Sequence, residues 1–147
     1  MASLTLGWEV KMANSKAIGV AFSDQDIYGA DSILSSGKLG YTTSALGTVT
    51  QLISKATAVT LNKSSGRITT FATAMLTGTL ATFTVNNSLV SVNDTVILSI
   101  SGGATSQGYN VWVDVMAAGS FNITLLNRSA GTLTEAVIIN FALLHCE

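Results

Sequence analysis

The side chains that most often catalyse reactions are scarce in this chain, which has one histidine and one cysteine among 147 residues. These two residues, His145 and Cys146, are adjacent near the C-terminus. A thiol beside an imidazole can act as an activated nucleophile, provided that the two groups are aligned and a third group orients the base. Neighbouring residues on a strand point to opposite faces of a sheet. We therefore expect His145 and Cys146 to be terminal residues without a catalytic role.

Two sets of carboxylates are also candidates for a site. Asp24, Asp26 and Asp31 lie within eight residues, but they lack the regular alternation and the later glutamate of a calcium loop. Asp94 and Asp114 are candidates for the paired carboxylates of a glycoside hydrolase. However, Asp94 stands where a turn begins, and Asp114 alternates with two valines on an outward strand face. The pattern favours a solvated loop, a turn residue and a surface residue, and it predicts neither a metal nor another cofactor.

Aromatic and glycine-rich segments indicate no stronger site. Trp8, Tyr109, Trp112 and Phe121 are of the types that form a sugar-binding platform, although a tryptophan between two valines, as at position 112, more often lies in a core or a subunit contact. The stretch 102–108 has glycines but no lysine and no helix after it, so it is interpreted as a hairpin loop rather than a phosphate-binding loop. These observations together predict a protein that is not an enzyme.

The composition points to a chain whose surface is covered in an assembly. Charged residues make up 10% of the chain, against about 25% in ordinary soluble domains. A monomer with so few charges would have a poorly solvated surface, and contacts with copies of itself or with a partner account for the deficit. The seven basic residues are scattered, so no nucleic-acid partner is expected. No segment has the length and composition of a signal peptide or a membrane span, so we expect cytoplasmic synthesis and no membrane partner.

Short runs of β-branched and aromatic residues recur about every ten residues after Gly47, with Gly, Asn and Asp between them. The predicted strands are 48–53, 58–61, 67–71, 79–85, 95–100, 109–115, 121–126 and 135–144. The run 95–100 is almost continuously apolar and is predicted to lie in the core, and only 72–76 has a helical composition. Because the chain has no proline, Gly, Asn and Asp must supply the turns, through positive φ or side-chain hydrogen bonds to the backbone, and Gly66, Gly78, Gly119 and Gly131 fall where strands must reverse. The pattern predicts an all-β fold, an antiparallel β-sandwich of jelly-roll type with an irregular N-terminal arm.

Two segments of the chain resemble a known β-domain when they are taken in order. The first comprises GTVTQLISKATAVTLNKSSGRITT (47–70) and AMLTGTLATFTVNNSLVSVNDTVIL (74–98), and the second is AAGSFNITLLNRSAGTLTEAVIINFALL (117–144). They resemble a domain of structural proteins of tailed phages and prophages, found in small head-decoration or head-fibre proteins and sometimes at the end of tail-associated proteins. The resemblance covers about two thirds of the chain, and residues 1–45 lie outside it.

The resemblance implies a role on a virus particle and no catalytic residues. It implies a head decoration (cement) protein, a homotrimer that binds the major capsid protein on the outer capsid surface and stabilises the shell. In that hypothesis residues 1–45 are an N-terminal arm or capsid-contact segment, and residues 46–147 are the β-sandwich domain. The alternative is a receptor- or glycan-binding module of a tail or head fibre, for which Trp112 and Tyr109 would be exposed.

Overall fold

The computed structural model describes residues 36–146, and the chain from Leu39 onward forms one compact unit. A short 3-10 turn at Thr43–Ala45 precedes eight strands in the described residues. The strands are β1 Leu46–Thr50, β2 Val59–Thr60, β3 Ser65–Thr69, β4 Leu80–Asn86, β5 Thr95–Gly102, β6 Tyr109–Ala117, β7 Ser120–Asn127 and β8 Ile138–Leu144. The predicted all-β class is therefore confirmed. Residues 39–45, which the sequence assigned to the arm, belong to this compact unit.

The strands form two four-stranded sheets, as expected for a sandwich. Sheet A has the order β1-β3-β8-β5 and sheet B has the order β2-β4-β7-β6. Pairing is antiparallel except for β1 with β3 and β2 with β4, which are parallel. From β1 to β6 successive strands alternate between the two sheets. Strands that pair within a sheet, such as β1 with β3 and β2 with β4, are therefore separated in sequence by a strand of the other sheet. The two parallel pairs distinguish this connectivity from Greek keys, in which all pairing is antiparallel.

The core lies between the sheets and is formed by alternate residues of the inner strands. In β4, Phe83 and Val85 are buried while Leu80 and Thr82 are exposed, which follows the alternation of side chains along the run 79–85. The rings of Phe121 and Phe141 meet edge to face, with centroids 5.5 Å apart. The fully buried aliphatic side chains around them are Ile68, Val85, Ile123, Leu125, Val137, Ile139 and Leu143.

Two glycines show why the chain needs this residue type. Gly119, between β6 and β7, has φ of 79° and supplies the positive φ expected at a strand reversal. Gly66 was also expected at a reversal, but it lies inside β3. A Cβ at position 66 would lie 2.4 Å from Cε1 of Phe141, so a side chain there would displace a core ring.

Two local predictions are wrong for tertiary reasons. The run 95–100 is not fully buried, because β5 is an edge strand of sheet A and turns every second side chain outward, leaving Ile97 59% exposed. The segment 72–76 is not helical, since Met75 instead forms a bridge with Leu133. Backbone pairing with a distant segment thus replaces the local hydrogen bonds of a helix.

The loops gather at two ends of the sandwich. Loops 51–58, 70–79, 103–108 and 128–137 lie at one end, which we call the Lys55 end. Loops 61–64, 87–94 and 118–119 lie at the other, the Asp94 end, together with the residues after β8. Side chains of Asn87, Asp94 and Asn127 accept backbone N–H groups two or three residues away, as predicted for a chain whose turns lack proline. Loop 103–108 joins β5 of sheet A to β6 of sheet B, so it is not the predicted hairpin loop.

Candidate functional site

The loop after β1 presents two adjacent aliphatic side chains to solvent. β1 ends at Thr50, three residues before the end of the predicted strand 48–53. Leu52 is 79% exposed and Ile53 is 76% exposed. We call these two residues the apolar tip. Single exposed hydrophobic residues are common on protein surfaces, whereas two adjacent ones on a structured loop are a candidate contact surface.

Gln51 closes this loop with its side chain. It is 2% exposed, and its Nε2 donates to the carbonyl oxygens of Lys55 at 3.1 Å and Thr57 at 2.7 Å. Its Oε1 accepts the backbone N–H of Phe71 at 3.1 Å. Because three hydrogen bonds join Gln51 to Lys55 and Thr57 of the loop and to Phe71 of the segment after β3, the residues between 51 and 57 are held in one arrangement.

Lys55 fastens the same loop to the rest of the Lys55 end. It is 3% exposed, and its Nζ donates to the carbonyl oxygens of Phe71 at 2.5 Å and Glu135 at 2.7 Å. Burial lowers the pKa of this ammonium group, and the Glu135 carboxylate opposes that shift. Gln51 and Lys55 therefore form a buried polar support beneath the apolar tip.

Glu135 continues this network toward the loop 103–108. Its Oε1 accepts the hydroxyl of Thr105 at 2.5 Å and the N–H of Thr105 at 2.8 Å, and its Oε2 accepts the N–H of Thr134 at 2.9 Å. These hydrogen bonds, that of the Thr105 hydroxyl first, lower the pKa of Glu135 to about 2. Burial, with the Glu135 carboxylate as a second cause, raises the pKa of Tyr109 to about 12. The Tyr109 hydroxyl is buried near the Glu135 carboxylate, and within residues 36–146 it forms no hydrogen bond of good geometry.

At the Asp94 end, one carboxylate binds the C-terminal residues. The Asp94 side chain is 2% exposed, and its Oδ2 accepts the N–H of Ser91 and contacts Nδ1 of His145, both at 2.9 Å. Its Oδ1 accepts the N–H of Cys146 at 3.2 Å. These hydrogen bonds, that of Ser91 first, lower the pKa of Asp94 to about 2. The Asp94–His145 pair has no local signal in the sequence, because the two residues are 51 positions apart.

This cluster fastens the chain end and does not align a thiol with a base. Sγ of Cys146 lies 3.7 Å from the carbonyl oxygen of Leu144, and no described hydrogen bond joins it to His145. The Asp94 carboxylate bridges the loop before β5 to the residues after β8, where the edge pair Thr95–Leu144 begins. Asp94 therefore holds the residues after β8 against the loop before β5.

The low pKa values of Asp94 and Glu135 predict a loss of stability in acid. A carboxylate whose pKa is lowered by folding stabilises the protein fully above its ordinary pKa, here 3.8 and 4.5, and loses that contribution as the pH falls toward about 2. We expect the urea midpoint to fall between about pH 5 and about pH 2.5, and to fall less in Glu135→Gln. Asp114→Asn, a change at an exposed residue, is the control and should keep the full decrease. An undiminished decrease in Glu135→Gln would contradict the role given to this carboxylate.

The remaining predicted site residues do not converge among the described residues. Asp114 is exposed beside the bulge of β6 in sheet B, whereas Asp94 precedes β5 of sheet A at the Asp94 end. Tyr109 and Phe121 are 6% and 1% exposed, so neither belongs to an aromatic platform, while Trp112 is 37% exposed on the outer face of sheet B. The residues Asp24, Asp26, Asp31 and Trp8 lie outside the described residues. Within positions 36–146 no group of three His, Cys, Asp or Glu side chains is placed to hold a metal ion.

Comparisons with known proteins add no further constraint on this site. No protein-family model, no curated protein and no solved structure matches the chain. No helix in the described part of the chain is long and apolar enough to cross a membrane. A role for the apolar tip is therefore inferred from its geometry and from the resemblance of segments 47–70, 74–98 and 117–144 to a domain of phage structural proteins.

Proposed function

We propose that this chain is a structural protein of a bacteriophage particle, a head decoration (cement) protein that binds the outside of the capsid. The observation that carries the proposal is the apolar tip on its buried support. Burying the Lys55 ammonium carries a desolvation penalty, which its two hydrogen bonds offset. The result is a fixed loop with Leu52 and Ile53 facing outward, as a preformed contact requires.

The rest of the described surface supports an assembled rather than an isolated protein. Thirteen large hydrophobic side chains between residues 36 and 146 are exposed, and only 10% of the whole chain is charged. Surfaces of this kind are typical of proteins that bury much of their area against partners. A capsid offers such a partner at many equivalent positions.

In this proposal the major capsid protein provides an apolar pocket for the tip. Complete burial of a leucine or isoleucine side chain contributes about 1.5–3 kcal/mol, so one tip gives modest affinity. A homotrimer, which the resemblance implies, would present three tips and gain affinity by multivalency. Cementing then follows because each trimer contacts more than one capsid subunit. The protein is made in the host cytoplasm and placed on the virion surface in this hypothesis.

Immunogold electron microscopy of intact particles of the parent virus tests the location directly. We expect gold distributed over the head. Gold confined to the tail or its tip would instead favour a fibre module, and particles without label would contradict any virion role.

The alternative, a receptor- or glycan-binding fibre module, has one observation in its favour. Trp112 is 37% exposed on the outer face of sheet B, where its ring offers an apolar face with a polar N–H at its edge. However, this alternative also expected Tyr109 to be exposed, and Tyr109 is buried. We therefore place it second.

A further inference from the structure

Strand β5 forms an open edge of sheet A that has no charged residue. The strand runs from Thr95 to Gly102, is last in the sheet order, and has the sequence TVILSISG with neither a charge nor a proline. An edge strand exposes a row of unpaired N–H and C=O groups, and proteins usually protect such an edge. The register shift between Ile100 and Gly102 alters only the end of β5. Most of this edge is therefore regular, and among residues 36–146 only β8, on the other side, pairs with β5.

The other three edges of the sandwich are protected by recognisable devices. β2 has only two residues, and β6 has a register shift beside the exposed Asp114. β1 has five residues, and Lys63, which donates from Nζ to the carbonyl oxygen of Ser44 at 2.9 Å, places a positive charge beside the start of this strand. A very short strand, a charged bulge and a lysine beside the strand are all means of blocking edge-to-edge contact. Only β5 lacks such protection among the described strands.

We propose that β5 pairs with β5 of a second copy of this chain, antiparallel and about a two-fold axis. A single unprotected edge can join identical molecules only by meeting itself, which is the isologous arrangement of a two-fold contact. The pairing joins two A sheets into one continuous sheet and satisfies the open backbone groups on both strands.

The side chains of β5 are compatible with this pairing in every register. A two-fold axis perpendicular to the sheet keeps the inner faces of the two A sheets on the same side of the joined sheet. The half-buried Val96, Leu98 and Ile100 therefore meet only apolar residues of the second copy. On the outer face, threonine, isoleucine and serine side chains meet one another. Because the strand has no charge, no register places like charges opposite each other, which would be destabilising.

An apolar groove on the outer face of sheet A extends the proposed contact. It has a volume of about 500 Å³, and its lining includes Ile97 of β5, Leu144 of β8 and Tyr41, which lies before β1 in the chain. The Tyr41 hydroxyl donates to the carbonyl oxygen of Leu143, which fixes the ring against β8. Ile97 and Leu144 are 59% and 57% exposed, so a second copy paired along β5 can bury apolar area beside the new strand pair.

A charge placed on the open edge tests the proposal with a closely matched control. Ile97→Lys adds a lysine to β5, and Leu80→Lys adds one to β4, where the replaced side chain is also 59% exposed. We expect sedimentation equilibrium of the full chain to give an even number of copies, two or, if trimers form, six. Ile97→Lys should halve the molecular mass of the assembly and raise the dissociation constant of the β5 contact at least about tenfold, since an edge lysine opposes strand pairing. Leu80→Lys should keep the wild-type mass, and circular dichroism should show that both variants are folded.

Three results would overturn this inference: a wild-type chain with an odd number of copies, a mass unchanged by Ile97→Lys, or an equal loss of mass in both variants. The inference does not depend on the proposed location on a phage head. Absence of gold label from particles would reject the virion role and leave the β5 contact standing. A mass unchanged by Ile97→Lys would reject the β5 contact and leave the virion role standing.

Discussion

Replacing Lys55 with methionine is expected to lower the free energy of unfolding by about 2–4 kcal/mol. Methionine fills a similar volume but removes both hydrogen bonds from Nζ, leaving the partly buried carbonyl oxygens of Phe71 and Glu135 without this donor. Hydrogen bonds from a charged group are each worth about 1.5–3 kcal/mol, and the relief of burying an ammonium group offsets part of that loss. Urea unfolding followed by circular dichroism at neutral pH measures the change.

Lys63→Met provides the control for this experiment. Lys63 also donates from Nζ to a backbone carbonyl oxygen, that of Ser44 at 2.9 Å, but this hydrogen bond is exposed. A surface substitution of this kind changes stability by about 0.5 kcal/mol or less. If Lys55→Met proved as stable as Lys63→Met, the Lys55 ammonium would not be the support that holds the loop 51–58.

The second large effect is expected in capsid binding. Changing both tip residues, Leu52→Ser with Ile53→Ser, should weaken binding to capsids that lack this protein by about a hundredfold or more. Each aliphatic side chain contributes about 1.5–3 kcal/mol when buried, and every 1.4 kcal/mol is a factor of about ten in affinity. The urea midpoint should hardly change, because the two side chains are 79% and 76% exposed in the free protein.

A second double variant separates the tip from general surface hydrophobicity. Leu80→Ser with Val92→Ser removes two aliphatic side chains that are each 59% exposed and lie outside the loop 51–58. Co-sedimentation with capsids over a range of concentrations compares the two variants. We expect the control to bind like the wild type, and equal binding by both variants would remove the tip from the proposed capsid contact.

Lys55→Met also connects the two experiments. The variant keeps Leu52 and Ile53 but loses one of the two side chains that support them. If a fixed loop matters for binding, its affinity for capsids should fall although the contact residues are unchanged, because ordering the loop then opposes association.

The sequence alone determined the fold class and most strand positions. Alternation in the run 79–85 correctly placed Phe83 and Val85 on the face opposite to Leu80 and Thr82, and a strand reversal was correctly expected at Gly119. These predictions succeed because side-chain alternation and turn geometry depend on residues that are close in sequence. The same local reasoning correctly predicted an all-β sandwich, whereas the virion role remains a proposal.

Only the tertiary structure decided which polar residues are buried and which strand is open. The acceptors of Lys55 lie 16 and 80 positions away, so the sequence around position 55 contains no sign that an ammonium group is buried there. The exposure of Ile97 likewise depends on the place of β5 at the end of sheet A. An apolar run has the same composition in a central strand and at an edge, and only long-range pairing distinguishes the two. For that reason the apolar tip and the open edge, on which both proposals depend, could not be read from the sequence.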